Sequence, residues 1–232
     1  INAQGTASQP IIFTSEFDDI AETDDLTQDD KGLWGGIILL GNGVVGVDGG
    51  VQNVEGIPST EGRAEYGGSD NTDNSGTLKY VSIRHGGAKL EANNEINGLT
   101  LGGVGSATEI DYVEVFANLD DGIEWFGGAV SVKHAVVSFC GDDSFDYDQS
   151  WDGKGQFWFT LQDSESNRAG EWDGSEAADL SPQVTPIIAN ATFIGGGPVS
   201  NNEDNNDALR IRDDAAAKVY NSVFTGFARR AI

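Results

Sequence analysis

The residues in this chain that could do chemistry are carboxylates, and they gather in its middle. Asp142, Asp143, Asp146, Asp148 and Asp152 fall within eleven residues, and Asp120, Asp121 and Glu124 precede them by one interval of 22. Calcium takes about six to eight oxygen ligands, and turns stacked above one another can supply carboxylates and carbonyls at that density. Asp120, Asp121, Asp142, Asp143, Asp146, Asp148 and Asp152 are therefore the candidate metal ligands, with Ca2+ the expected ion. The run Asp146-x-Asp148-x-x-x-Asp152-Gly153 shares part of a calcium-loop pattern but lacks its full length and closing glutamate. The same residues also read as a stacked Asp/Asn ladder whose side chains cap turns by bonding to the backbone. The two readings are compatible, because like carboxylates stacked in register repel unless a cation or protons lie between them.

Aromatic side chains crowd the same region: Trp125, Trp151, Trp158 and Trp172, with Phe126, Tyr147, Phe157 and Phe159. An exposed indole beside carboxylates suits a saccharide, stacking on its apolar face while hydroxyls find polar partners. Trp151 and Trp172, in the loop-like settings Ser-Trp-Asp-Gly and Glu-Trp-Asp-Gly, are the candidate ligand-binding residues, together with Trp125. Core filling is the alternative. Alternation over 157–159 places Phe157 and Phe159 inside and turns Trp158 the other way.

No catalytic constellation stands out. A polysaccharide lyase needs a base near acid-bound calcium, for which Lys133, Arg210 and Arg212 are available, with Asp207, Asp213 and Asp214 near the arginines in sequence. A hydrolase needs only two carboxylates at suitable separation, and among 38 acidic residues such pairs arise by chance. His85 and His134 lack a nucleophile pattern, and Gly195-Gly196-Gly197 and Gly102-Gly103-Val104-Gly105 lack a P-loop lysine or a Rossmann setting. Asn190-Ala-Thr192 fits a glycosylation acceptor by pattern alone. The single cysteine, Cys140, can form no internal disulfide and reads as a small buried hydrophobe.

These residues must be held by short strands. Tyr112 to Trp125 aligns without a gap on His134 to Tyr147, setting Asp120-Asp121 on Asp142-Asp143, Ile123 on Phe145 and Trp125 on Tyr147. The element returns at Asn206-Asp207-Ala208-Leu209-Arg210-Ile211, and more weakly at Asn97-Gly98-Leu99-Thr100-Leu101, 24 residues ahead of Gly122. A second strand recurs as Val136 to Gly141, Asn190 to Gly195, Asn221 to Gly226 and, earlier, Tyr80 to Gly86. Such strands each bury one face, which a single turn of chain cannot do alone; stacking buries it continuously. An antiparallel sandwich would not repeat turn residues at fixed register with the same flanking aromatics. The expected fold is all-β, a right-handed parallel β-helix with rungs of about 22–24 residues and lateral loops.

Pro10 to Ser15, Gly32 to Gly41 and Leu78 to Gly87 resemble successive landmarks of the large secreted right-handed β-helix repeat proteins of marine, Bacteroidetes-like and other environmental bacteria, many with a C-terminal secretion-sorting domain. The resemblance spans nearly the whole chain. It implies the fold and a secreted or cell-surface location, and it implies no particular activity.

The chain divides into a first rung at 1–16, an acidic excursion over Phe17–Lys31, a strand over Leu33–Leu40, and a long excursion over Gly41–Asp73. Regular rungs follow from Thr77 to Leu161, then a loop from Gln162 to Pro186, then final rungs to Ile232. Residues 1–232 read as one domain. Neither end shows an evident polar cap, which suggests an internal part of a longer chain or end-to-end self-association into a fibre.

Composition narrows the partners. The 232 residues carry 38 acidic against 13 basic side chains, a net charge of −25, so phosphate backbones and anionic membranes are repelled. No apolar stretch is long enough to span a bilayer as a helix, so no membrane insertion is expected. Three functions remain in view: a noncatalytic extracellular structural or adhesive module, a calcium-dependent polysaccharide lyase or hydrolase, and a module that binds an extracellular glycan. The repeat, the acidity and the missing catalytic constellation favour the first.

Overall fold

The computed structural model describes residues 1–22, 24–91, 94–197 and 207–232. Two parallel sheets wind around one interior. The first holds β1 (Asn2–Gln4), β2 (Ile11–Phe13), β6 (Thr77–Arg84), β10 (Glu109–Phe116), β12 (Val132–Ser138) and β14 (Lys154–Leu161). It continues through β16 (Ile187–Ala189) with β17 (Thr192–Ile194), and β19 (Lys218–Tyr220) with β20 (Val223–Thr225). The second runs in the order β3 (Ile37–Leu40), β9 (Leu99–Gly102), β11 (Ile123–Phe126), β13 (Phe145–Asp148), β15 (Gly170–Asp173) and β18 (Leu209–Arg212). Every pairing within the two sheets is parallel. Successive rungs lie in the register the repeat predicts: Ile123 pairs with Phe145 and Trp125 with Tyr147.

Each long strand of the first sheet bends at one left-handed residue. Tyr80, Tyr112, His134, Phe157, Asn190 and Asn221 all have φ between 47° and 59° and occupy equivalent positions in successive rungs. Left-handed geometry costs a non-glycine residue about 1–2 kcal/mol, which the stacked neighbours here offset. Tyr112 stacks on Tyr80 at 4.5 Å and on His134 at 4.1 Å, and His134 stacks on Phe157 at 5.0 Å. Where the rings stop, the Asn221 side-chain amide donates to Asn190 at 2.6 Å.

The bend shifts the in–out alternation by one residue, and so reverses the expectation for 157–159. Trp158 is buried at 1%, whereas Phe157 is 43% exposed and Phe159 lies part-buried on the outer face. Counting alternate residues through Phe157 assigns the wrong face because that residue is not extended.

The interior is an aromatic stack. Trp125 lies 5.2 Å from Trp158 and 4.9 Å from Trp151, Phe145 lies 4.5 Å from Trp158, and Tyr147 lies 5.3 Å from Trp172. Room for two indoles comes from glycine: a Cβ on Gly155 would overlap the Trp158 ring, and one on Gly153 the Trp151 ring.

The lateral excursions differ in part from the sequence reading. The strand expected over Leu33–Leu40 begins at Ile37, because the Trp34 indole turns aside to donate to the Arg84 carbonyl at 2.6 Å. The 41–73 excursion contains an antiparallel hairpin of β4 (Val51–Asn53) and β5 (Glu65–Gly67). Val45, Val54, Ala64 and Tyr66 form a small core of their own there, against Ile38, Leu40 and Phe126 on the second sheet. A second hairpin pairs β7 (Lys89–Glu91) with β8 (Asn94–Glu95). The segment over 162–186 is not all loop, since β15 within it completes a rung of the second sheet. In the recurrence at 206–211, Asn206 lies outside the described residues, while Leu209–Arg212 pairs with β15 as the repeat requires.

Candidate cation-binding cleft

Strands of the second sheet alternate strictly, so every second side chain faces outward. With Leu99, Ile123 and Phe145 inside, the next residues, Thr100, Glu124, Asp146, Glu171 and Arg210, form one outer row. Phe126, Asp148, Asp173 and Arg212 form a second. The turns before these strands add Asn97, Asp121 and Asp143 in successive rungs. A cleft of about 570 Å³ opens here, lined by Asn97, Thr100, Asp120, Asp121, Glu124 and Asp142 among others.

Two groups of carboxylates converge on it. Oxygens of Asp121, Glu124 and Asp146 lie within 4.8 Å of one another, and so do oxygens of Asp120, Asp121 and Asp142. Burial holds the Asp121, Glu124, Asp143 and Asp146 carboxyls well above the ordinary carboxylate range, and the negative charges around them push further. Asp148 is pushed up to about 8, first by burial and then by the charge of Asp173 beside it.

Hydrogen bonding separates the ladder reading from the ligand reading. Asp121 Oδ1 accepts from the Asp143 amide at 2.8 Å, and Asp143 Oδ1 accepts from the Arg168 amide at 2.5 Å. These two side chains bond to the backbone of the next rung, as a capping ladder does. Asp142 accepts from the Asn167 side chain at 2.6 Å. Asp146 behaves differently, with a buried Oδ1 that has no partner among the described residues. The Asn97 amide donates to Glu124, yet the Oδ1 of this residue, which is only 5% exposed, is also buried without a partner among the described residues. Buried polar atoms are satisfied in the great majority of cases, so the Asn97 oxygen in the cleft wall and the Asp146 oxygen beside Asp121 and Glu124 mark a place for something that accepts oxygen lone pairs.

The structure thus brings Asp120, Asp121, Asp142 and Asp146 together, with Asp143 just behind them. Asp148 lies in the next row against Asp173, and Asp152 is an exposed turn residue whose amide bonds to the Gly128 carbonyl. Asn97 is missing from the sequence-based set although the alignment of Gly98 with Gly122 places it one rung from Asp121. Its neutral side chain gives no charge signal.

The expected saccharide platforms are corrected. Trp125, Trp151 and Trp172 are each 0% exposed and belong to the interior stack, so none offers a face to a ligand. Trp172 sits on β15, not in a loop, and donates to the Phe145 carbonyl at 3.1 Å; Trp151 donates to the Val130 carbonyl at 3.0 Å. The spacing from Tyr147 to Trp172 is 25 residues, close enough to one rung for Trp172 to take the next inward place. The proposed base Lys133 lies on β12 of the other sheet, over the Phe157 ring. Arg210 and Arg212 stand on the outer face of the second sheet but pair with Glu171 at 3.3 and 2.8 Å, and Arg212 also with Asp173 at 2.7 Å. His85 is buried with Nδ1 2.6 Å from the Asp30 carbonyl, and His134 lies 2.7 Å from Asp111. Cys140 is free and buried, its thiol pushed up to about 12 by desolvation.

Parallel strands stacked in register around a continuous interior define a parallel β-helix, here with an acidic cleft on one outer face. The chain belongs to the family of pectate-lyase-like β-helix domains, whose model matches residues 1–232. No curated protein and no solved structure matches it. No helix among the described residues is long and apolar enough to cross a membrane.

Proposed function

We propose that this chain is a noncatalytic extracellular β-helix module that binds a calcium ion in the acidic cleft and engages its ligand through that ion. The observation that carries the reading is the convergence of Asp121, Glu124 and Asp146 within 4.8 Å beside the unpartnered oxygens of Asn97 and Asp146. The donors are all oxygen, with neither histidine nor cysteine among them, which suits a hard cation and not zinc. A cation would offset the mutual repulsion that otherwise keeps protons on these carboxyls, and burial strengthens its attraction to them. Extracellular calcium is abundant enough to fill a site of modest affinity. The noncatalytic part rests on the basic groups: Lys133 is on the other sheet, and Arg210 and Arg212 are engaged by Glu171 and Asp173.

Calorimetric titration of the chelator-treated protein with Ca2+, with Mg2+ as comparison, tests the cation. Calcium is expected to bind and to raise the melting temperature, and Glu124→Gln is expected to abolish both effects. Absence of a calcium isotherm at pH 8 would sink the proposal. Release of reducing ends or unsaturated products from polysaccharides in the presence of calcium would refute the noncatalytic assignment.

A further inference from the structure

The walls of the cleft carry charge and apolar surface that the cation site does not use. Among the described residues, Glu55, Asp120, Asp121, Glu124 and Asp142 line it against one ammonium, that of Lys89. With Asp146 beside Asp121 and Glu124, one divalent ion added to six carboxylates and one ammonium leaves three negative charges, in a chain whose net charge is −25. A cleft lined with one sign of charge focuses that field on whatever enters. The guanidinium groups of Arg168, in the turn before β15, and of Arg210 and Arg212 on β18 gather on Glu171, one rung beyond Asp146, and none of the three lines the cleft.

Coordination leaves room for a ligand. Asp121, Glu124, Asp146 and Asn97 give four oxygens if each contributes one, and calcium takes about six to eight. The remaining positions suit neutral oxygens such as neighbouring hydroxyls, since more carboxylates would add charge to a site already in excess. Beside these donors stand apolar surfaces. Val54, Ile96, Leu119 and Phe126 share the cleft, and Val54 also borders an adjoining recess of about 290 Å³ against Ile38 and Leu40. Since Ile38 pairs with Thr100, and Thr100 with Glu124, cleft and recess follow one another across the rungs, along the axis of the solenoid.

We infer that the ligand engaged at this cleft is an uncharged, hydroxyl-rich chain, a neutral polysaccharide lying along the solenoid axis, and not a polyuronate. The inference rests on the calcium reading above. Sugar hydroxyls complete the ion's shell, the carbon faces of the rings lie on Leu119 and Phe126, and the surplus negative charge turns uronates away.

The test is calorimetry on the full chain with calcium saturating, using a glucan, a mannan, a galactan and a xylan as neutral probes and polygalacturonate and alginate as charged ones. At least one neutral polymer is expected to bind about tenfold or more tightly than either uronate at low salt. The gap should narrow near 1 M salt, where the screening length is about 3 Å. Glu124→Gln should abolish polymer binding. Glu55→Gln, a change at an exposed wall position, should leave neutral binding as it was and strengthen the residual uronate binding about threefold. A uronate that binds as well as the best neutral polymer overturns the inference. So does the absence of any polymer binding while calcium binds, or displacement of calcium by oligolysine with tighter binding than any glycan. Failure of calcium itself to bind is read in the separate ion titration and refutes the underlying site instead.

Discussion

Replacing Asp146 by asparagine should make the calcium-free protein more stable at pH 8 while removing its response to calcium. In the native chain Asp146 shares a 4.8 Å circle with Asp121 and Glu124, and one of its oxygens has no partner among the described residues. Two unit charges at that distance repel by about 3 kcal/mol at an effective dielectric near 20. The alternative is to hold a proton, which above the ordinary carboxyl pKa costs about 1.4 kcal/mol per pH unit. Burial and neighbouring charge raise the carboxyl in the folded state. The native chain therefore keeps a proton that the unfolded chain has released, and stability falls as pH rises above the ordinary aspartate range. The Asp146→Asn change would remove that cost, because the new amide carries no charge and its NH2 has carboxylate acceptors at hand. We expect a gain of about 1–3 kcal/mol at pH 8 in chelator, or roughly 2–12 °C in melting temperature for a chain of this size. The gain should vanish near pH 4. Saturating calcium should reverse the order, since an ion at about a hundred times its dissociation constant adds about 2.7 kcal/mol to the wild type alone. Differential scanning calorimetry at both pH values, with and without calcium, reads all four quantities. A D146N protein that folds but is less stable than wild type at pH 8 in chelator, and that still gains stability from calcium, would refute the reasoning.

Asp148 is pushed up to about 8 by burial and Asp173, so without calcium Asp148→Asn should flatten the decline of stability between about pH 4 and 8, as pH-dependent denaturant melts would show. Trp158→Ala should cost about 3–5 kcal/mol in urea unfolding, because it empties the centre of the interior stack, whereas Phe157→Ala, outside, should cost clearly less. Gly155→Ala should also destabilise, by a kilocalorie or more, since the new methyl meets the Trp158 ring. With its thiol raised to about 12, Cys140 should resist a thiol reagent at pH 8 in the folded protein and react fully in guanidinium; fast labelling of native protein would contradict its burial.

The sequence alone determines the architecture. Matching turn and apolar residues at intervals of 22–24 permit one arrangement that buries every strand's inner face, and the observed register of Ile123 on Phe145 and Trp125 on Tyr147 is the one the alignment dictates. It also determines that Asp121 and Asp143 stack and that the chain repels polyanions, because repeat spacing and net charge are properties of sequence. What only the tertiary structure decides is which side of the wall a residue faces and which polar atoms are left over. A single left-handed residue per strand reverses the faces of Phe157 and Trp158, and backbone dihedrals of that kind leave no mark in a period-two pattern. Irregular rung lengths hide Trp172 in an apparent loop, although pairing across β13 and β18 makes it a core residue. The candidate site itself depends on closure. Ladder bonds spend an oxygen each of Asp121 and Asp143, while Asn97 and Asp146 keep oxygens with no partner among the described residues, and that difference exists only once neighbouring rungs have packed and excluded water.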